Sequence, residues 1–297
     1  MKKEMLGMPG DTGWKKAIST DRDRLQSRLL VWVVGMLLGV AGLTVFAYAA
    51  RVGHVSSLVV PLVLSFGFAV LVWMLRAATG PAAMMGFLIC FILSQEPVVW
   101  TGFASYPISY PAIPALIALF VITFAATKYG RAKKEARGLA EPRKGRRASQ
   151  IVANLGVAAL CAALGEYDGC IAALAEAAAD TVSSEIGQAV GGPAWLITGL
   201  RRVPAGTDGA VSVVGTMAGI AAAIAIVGVS ALHHGLGSSA LGSSKALVFV
   251  AACAGLFFDS LLGATVERRG WVGNDLVNFA STLFSAVVAV GLRNAMR

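Results

Sequence analysis

Three carboxylates, Glu176, Asp180 and Glu185, stand in the stretch LAEAAADTVSSEIG, Leu174 to Gly187, whose other members are apolar or small. Taking an ionised carboxylate out of water is costly unless a cation or hydrogen-bond donors meet it. Each acid therefore pairs with a cation of the chain or binds something brought from outside. Glu176 and Asp180 are four apart and share a helix face. A second stretch, GLFFDSLLGATVERR, sets Gly255, Asp259, Gly263 and Glu267 four apart on another face. Between the two lies GGPAWLITGLRRVPAGTDGAVSVVGTMAG. Its paired Arg201 and Arg202 offer planar donors to oxyanions, and Gly206, Thr207 and Gly209 let backbone amides converge. Ser212 and Thr216 then open a helix whose N-terminus favours an anion. Such a segment can cradle phosphates. Two aspartates beside phosphates, Asp180 and Asp259, are a suitable holder for Mg²⁺ in phosphoryl transfer. The plainer alternative is a connecting loop in which Gly215 and Gly219 form a GxxxG packing pair and Glu185 and Glu267 pair with loop arginines. At this level both readings stand.

The elements that must position these groups are set by composition. The chain has 297 residues, 57% hydrophobic and only 14% charged, far from the balance of a water-soluble domain. Apolar runs recur along it at about the length that crosses a bilayer as helix, without period-two alternation. The expected fold is all-α, a polytopic transmembrane bundle of about nine spans. The spans are read at 29–50, 58–75, 82–95, 111–127, 150–164, 169–187, 212–232, 246–266 and 276–292. No cleaved signal peptide is evident, because the first apolar run follows a polar, charged segment. The four cysteines, Cys90, Cys161, Cys170 and Cys253, have neither disulfide nor zinc spacing. His233 and His234 lack companion ligands, and GSSALGSSK, Gly237 to Lys245, lacks the order of a phosphate-binding loop.

Between the fourth and fifth spans KYGRAKKEARGLAEPRKGRR carries nine Lys or Arg against two Glu, +7 of the chain's +9. The positive-inside rule makes this loop cytoplasmic, a topology signal that also suits anionic lipid better than nucleic acid. Counting outward puts the N-terminus, with seven basic residues before the first span, on the same side. Only the tail with Arg293 and Arg297 falls on the other. There PVVWTGFASYPISYP would set Trp100, Tyr106 and Tyr110 in an interfacial belt. The units are an N-terminal segment 1–28, helices 29–127, the basic loop 128–149 and a C-terminal membrane domain 150–297 with the site. In this topology Asp180, Asp259, Asn274, Asp275, Asn278, Gln150 and Asn154 all face one cytoplasmic half of the membrane.

ADTVSSEIG, RRVPAGTDGAVSVVGT, DSLLGATVE and NDLVNF, in that order, together with GRRASQIVAN, resemble the signatures of the transmembrane-protein-19-like family. The resemblance covers about Thr127 to Leu292. Plant chloroplast members of that family include the phytyl-phosphate kinase of the tocopherol pathway. The sequence departs from the pattern at Val182 and Ser183, where Trp and Ala are common, and at Glu267, where Gln is usual. A weaker similarity joins the chain to polyprenol kinases and phosphatidate cytidylyltransferases, which use CTP and Mg²⁺ on membrane lipids. Carried over, it implies Asp180 and Asp259 at the metal, and Arg201, Arg202, Gly206, Thr207 and Ser212 at phosphates. Gly209 and Asn278 complete the expected nucleotide contacts.

The leading expectation is a kinase of an isoprenoid alcohol phosphate in the cell membrane, using CTP or another nucleotide with Mg²⁺. A cytidylyltransferase acting on a lipid phosphate needs the same groups. A secondary transporter is the main alternative class, since intramembrane carboxylates suit ion coupling, but no repeat relates the two halves and the acids crowd one end. A lipid-organising scaffold would tolerate Asn at positions 180 and 259.

Overall fold

The computed structural model describes residues 18–95, 112–140, 145–233 and 239–296, and the expected aromatic belt and Arg297 lie outside them. Helix α1, Thr20–Arg51, is capped by Ser19, whose Oγ accepts from the Arg22 amide at 3.4 Å, with Asp21 and Asp23 in its positively polarised first turn. It buries one stripe, Leu30, Val34, Leu38, Val45 and Ala49. A 3-10 turn leads into α2, Val59–Met74; then come α3, Gly80–Leu93, and α4, Ile113–Lys128, both with proline in the first turn. Side chains facing away from the protein are as apolar as those inside: Trp32 is 73% exposed, Leu43 70% and Met84 74%. In water such a surface would be an aggregation site, whereas against lipid it costs nothing.

The basic segment after α4 forms a short helix α5, Arg131–Ala136, and leads to α6, Ala148–Ala163. Next is α7, Tyr167–Val190, packed against α4, α6, α8, α9 and α10. That position explains its composition. A helix surrounded on every side must be small and apolar all round, and Gly169 to Ala179 are all buried. Helices α8, Val213–His233, α9, Ser239–Leu262, and α10, Asn274–Ala295, complete the bundle. A π-helical turn, Gly263–Glu267, extends α9. On α8, a Cβ on Gly215 or Gly219 would stand 2.6 Å from the carbonyl oxygen of Ser183 or Ala179 respectively, so this pair lets two backbones touch. Helix α10 is held by hydroxyls: Thr282 donates to the Ala153 carbonyl at 3.3 Å, and Ser285 to that of Ala172 at 3.1 Å.

Among the described residues five helices are long and apolar enough to cross a membrane, namely α1, α2 with its 3-10 turn, α8, α9 and α10. Helices α3, α4 and α6 are shorter, and α7, although 24 residues long, carries Asp168, Glu176, Asp180 and Glu185. Each expected span corresponds to a helix. The all-α expectation needs one amendment. Between α7 and α8 the chain forms a small antiparallel sheet ordered β2-β1-β3, from β1, Ala194–Leu196, β2, Arg202–Val203, and β3, Ala210–Val211. Strands of two or three residues leave no period to read, yet their ladder satisfies backbone groups of a loop too glycine-rich for a helix.

Candidate active site

One end of the bundle holds a polar cavity of about 300 Å³. It is walled by the start of α6, the last half of α7, the α7–α8 loop, the end of α9 and the start of α10. Asp180 enters from α7 and Asp259 from α9; Ser281 of α10 donates to the Asp259 Oδ2 at 3.2 Å. The two aspartates and Glu176 lie close enough to interact electrostatically. Glu176, one turn deeper on α7, is 1% exposed, and its Oε1 has no hydrogen-bond partner. Gly255 makes room for it, since a Cβ there would stand 2.6 Å from the Glu176 Cγ. Gln150, Asn154, Glu267, Asn274 and Asn278 supply further polar wall, with Asn278 Nδ2 donating to Asn154 Oδ1 at 3.4 Å. Asp275 is turned away and accepts from Ser27 of α1 at 2.7 Å.

The glycine-rich loop closes the cavity by close backbone approach. Gly209 has φ +71°, and a Cβ on it would overlap the backbone of Ala264 in the π turn. Gly263 is equally confined, 2.7 Å from the Gly209 nitrogen for an added Cβ. Gly206, at φ +86°, receives Leu139 from the basic segment, whose Cδ2 would lie 2.6 Å from a Cβ. Thr207 lines the cavity, but its hydroxyl donates to the Pro204 carbonyl at 2.7 Å. Ser212 also lines it and caps α8, its Oγ accepting from the Gly215 amide at 3.1 Å, which leaves its own O–H to donate elsewhere.

The arginines divide differently from expectation. Arg201 and Arg202 are exposed, at the turn and strand on the outer edge of the small sheet, and neither is on the cavity wall. Among the described residues the arginine on the cavity wall is Arg146, which interacts electrostatically with Asp180. Its backbone is gripped by the α2–α3 turn: its amide donates to the Ala77 carbonyl at 2.9 Å and its carbonyl accepts from the Thr79 amide at 3.0 Å. Gly145, at φ +83°, permits this, because a Cβ would stand 2.6 Å from the Arg76 carbonyl oxygen. The sequence held this signal in GRRASQIVAN, but a run of basic residues reads first as topology.

Glu185 does not face an arginine. Its partner is the buried Lys134 of α5, whose ammonium also donates to the last carbonyls of α4, those of Ala126 at 3.3 Å and Thr127 at 3.0 Å. Arg137 donates to the Gln188 carbonyl at 3.0 Å, near the end of α7. Thus the basic segment is built into the protein around the end of the carboxylate helix. At the opposite end of the bundle Arg293 pairs with Glu166 at 2.6 Å, and Lys245 stands 4.9 Å over the Tyr167 ring. The segment GSSALGSSK therefore ends far from the cavity.

Of the expected site residues, Asp180, Asp259, Gly206, Thr207, Gly209, Ser212 and Asn278 line one cavity, and Arg201 and Arg202 do not. Among the described residues no group of three or more His, Cys, Asp or Glu surrounds a common metal position. Mg²⁺ does not require one, since it binds through one or two carboxylates and completes its octahedron with water and phosphate oxygens. Asp180 and Asp259, on separate helices with Glu176 behind them, offer the carboxylate oxygens that such a cation takes. The donor set fits.

The signature described as Integral membrane protein DUF92 matches residues 62–286. The Uncharacterized membrane protein sll0875 of Synechocystis sp. is 37% identical over 191 residues, covering 60% of this chain and 72% of the relative. The Protein VTE6, chloroplastic, of Arabidopsis thaliana is 34% identical over 189 residues, covering 58% of this chain and just over half, 56%, of the relative. The Uncharacterized membrane protein MJ0933 of Methanocaldococcus jannaschii is 31% identical over 183 residues, covering 59% and 73%. No solved structure matches the chain.

Proposed function

The chain belongs to the DUF92 family of integral membrane proteins, the transmembrane-protein-19-like family that its motifs resemble. From that premise we propose that it is a nucleotide-dependent kinase of an isoprenoid alcohol phosphate, with its site at the cytoplasmic face of the cell membrane. The observation that carries this reading is the convergence of Asp180, Asp259, Arg146 and the glycine loop on one polar cavity.

The acceptor, a phosphate monoester, is already an anionic nucleophile near neutral pH, so no general base is needed. Its oxygen attacks the terminal phosphorus of the nucleotide, and the bond from that phosphorus to the bridging oxygen breaks. A lipid diphosphate and a nucleoside diphosphate result. The chain's task is to hold two anions in line and balance their charge. Asp180 and Asp259 would hold Mg²⁺, which neutralises charge on the phosphate oxygens. Arg146 brings a fixed positive charge beside Asp180, suited to the acceptor phosphate. Gly206 and Gly209 let the loop close onto Leu139 and Ala264, which shapes the wall that would face the nucleotide phosphates. The Ser212 hydroxyl and the start of α8 offer donors from the facing wall. Asn278 and Asn154 add neutral polar contacts, and the exposed Arg201 and Arg202, which are off the cavity wall, would act on anions only through solvent.

The test is incubation of purified protein with γ-labelled CTP or ATP, Mg²⁺ and a panel of isoprenyl phosphates. Label in a lipid diphosphate is expected from the wild type, and none from Asp180→Asn or Asp259→Asn that keep the wild-type Tm. In a parallel reaction with α-labelled CTP, transfer of the α label to the lipid, with none from the γ position, would make it a cytidylyltransferase. Substrate uptake into liposomes without nucleotide turnover would make it a transporter, and full activity of both variants would end the metal assignment.

A further inference from the structure

Beside the polar cavity lies a second one of about 460 Å³, between α2, α3, α4, α6 and α7. The two share Arg146, Asn154 and Thr181 in their walls. The second has opposite chemistry along its length. Its interior is apolar and aromatic, with Phe68 edge-on to Phe120 at 5.6 Å and Phe120 stacked on Phe124 at 5.6 Å. Four cations, Arg76, Lys128, Arg131 and Arg146, line it as well. Gly86 of α3 is buried in its wall, yet an added Cβ would meet nothing within 4 Å, so the glycine faces open space. A volume in the range of small-ligand sites, an apolar body and a cationic end describe a receptor for one hydrocarbon chain with an anionic head.

We propose that this cavity seats the hydrocarbon chain of a single-chain lipid monophosphate, its head at Arg146 where the two cavities meet. The proposal rests on the reading of the polar cavity as the place where a lipid phosphate reacts, and it gives α2, α3 and α4 a task in that reaction. The chain lies along Phe68, Leu116 and Phe120, and the phosphate passes Asn154 and Thr181 to reach the space between Asp180 and Asp259. A volume of about 460 Å³ suits one chain, so a lipid with two chains is not expected to enter.

The probe is a long-chain alkyl monophosphate bearing a diazirine at the chain terminus, photolysed with the full-length protein in detergent, with adducts mapped by mass spectrometry. The alcohol of the same chain and a diazirine-bearing phosphatidic acid serve as comparisons. Adducts of the monophosphate are expected on Leu116 and Phe120 of α4 and on α3 near Gly86. Gly86→Leu, which fills open space and replaces glycine by a better helix former, should remove them without lowering Tm. Should that variant fail to fold, Phe120→Ala is the second measure: by widening the cavity it should move the adducts deeper. Arg146→Gln should weaken capture of the monophosphate about tenfold and leave that of the alcohol unchanged. Adducts confined to outward residues such as Met36 and Leu43, or unchanged in folded Gly86→Leu, would overturn the proposal. Equal labelling of the same residues by phosphatidic acid would overturn it too, making this a seat for bilayer lipid. Labelling inside the cavity by a protein that transfers no phosphate would sink the kinase reading alone; transfer with no labelling there would sink this one alone.

Discussion

Arg146 and the Arg201–Arg202 pair have the same chemistry and different surroundings. Arg146 is half-buried, fixed through its backbone and beside Asp180, while the pair is exposed at a sheet edge. A guanidinium held in a cavity loses little freedom on meeting a phosphate, and one in solvent is screened. Arg146→Gln should therefore raise the KM for the phosphate acceptor about 10- to 100-fold, the cost of one hydrogen bond to a charged group. Arg146→Lys should recover part of it. Arg201→Gln with Arg202→Gln should change kcat/KM by about threefold or less and mainly reduce its salt dependence. Equal losses from the pair and from Arg146 in steady-state kinetics would contradict this ranking. At this scale the acids were legible, because a carboxylate in an apolar run announces itself. Arg146 was not, since it is one of nine basic residues in a short run, and what sets it apart is an electrostatic interaction across 34 positions, with Asp180.

The helices were legible from runs of apolar residues, and the crowding of polar groups at one end followed from orientation. What the runs could not give was the sheet, the π turn and the helix α5, each too short for a period to appear. The GxxxG pair shows how two readings of one segment can coexist: Gly215 and Gly219 pack α8 on α7, and that packing sets where Ser212 and the loop sit. Gly215→Val should force the two helices apart and destabilise the protein by about 1–3 kcal/mol, seen as a lower Tm in detergent. Gly228→Val on the same helix meets open space and serves as the control, with a Tm close to wild type. Equal Tm for both variants would mean that the α7–α8 contact is not tight. Val182 is buried, so the family departure there belongs to packing, while Ser183 both packs on the two glycines and lines the polar cavity.

Across the whole molecule charge is sorted by end. The start of α1, the basic segment, the α7–α8 loop and Arg268–Arg269 share the end with the polar cavity, while Arg293, on the other, is offset by Glu166. Under the positive-inside rule, the proposed orientation with the cavity toward the cytoplasm makes a prediction. In intact cells, with the four native cysteines replaced, an impermeant maleimide should label Ser56→Cys and not Thr198→Cys until the membrane is opened. The reverse pattern would invert the topology. The backbone grip on Arg146 carries a further meaning. The acids all come from the C-terminal half of the chain, but the cation that balances them is set by Ala77 and Thr79, residues of the first hundred. A truncation that spares every carboxylate but removes Ala77 and Thr79 would leave Arg146 without its backbone anchor and the pocket's electrostatics unfinished.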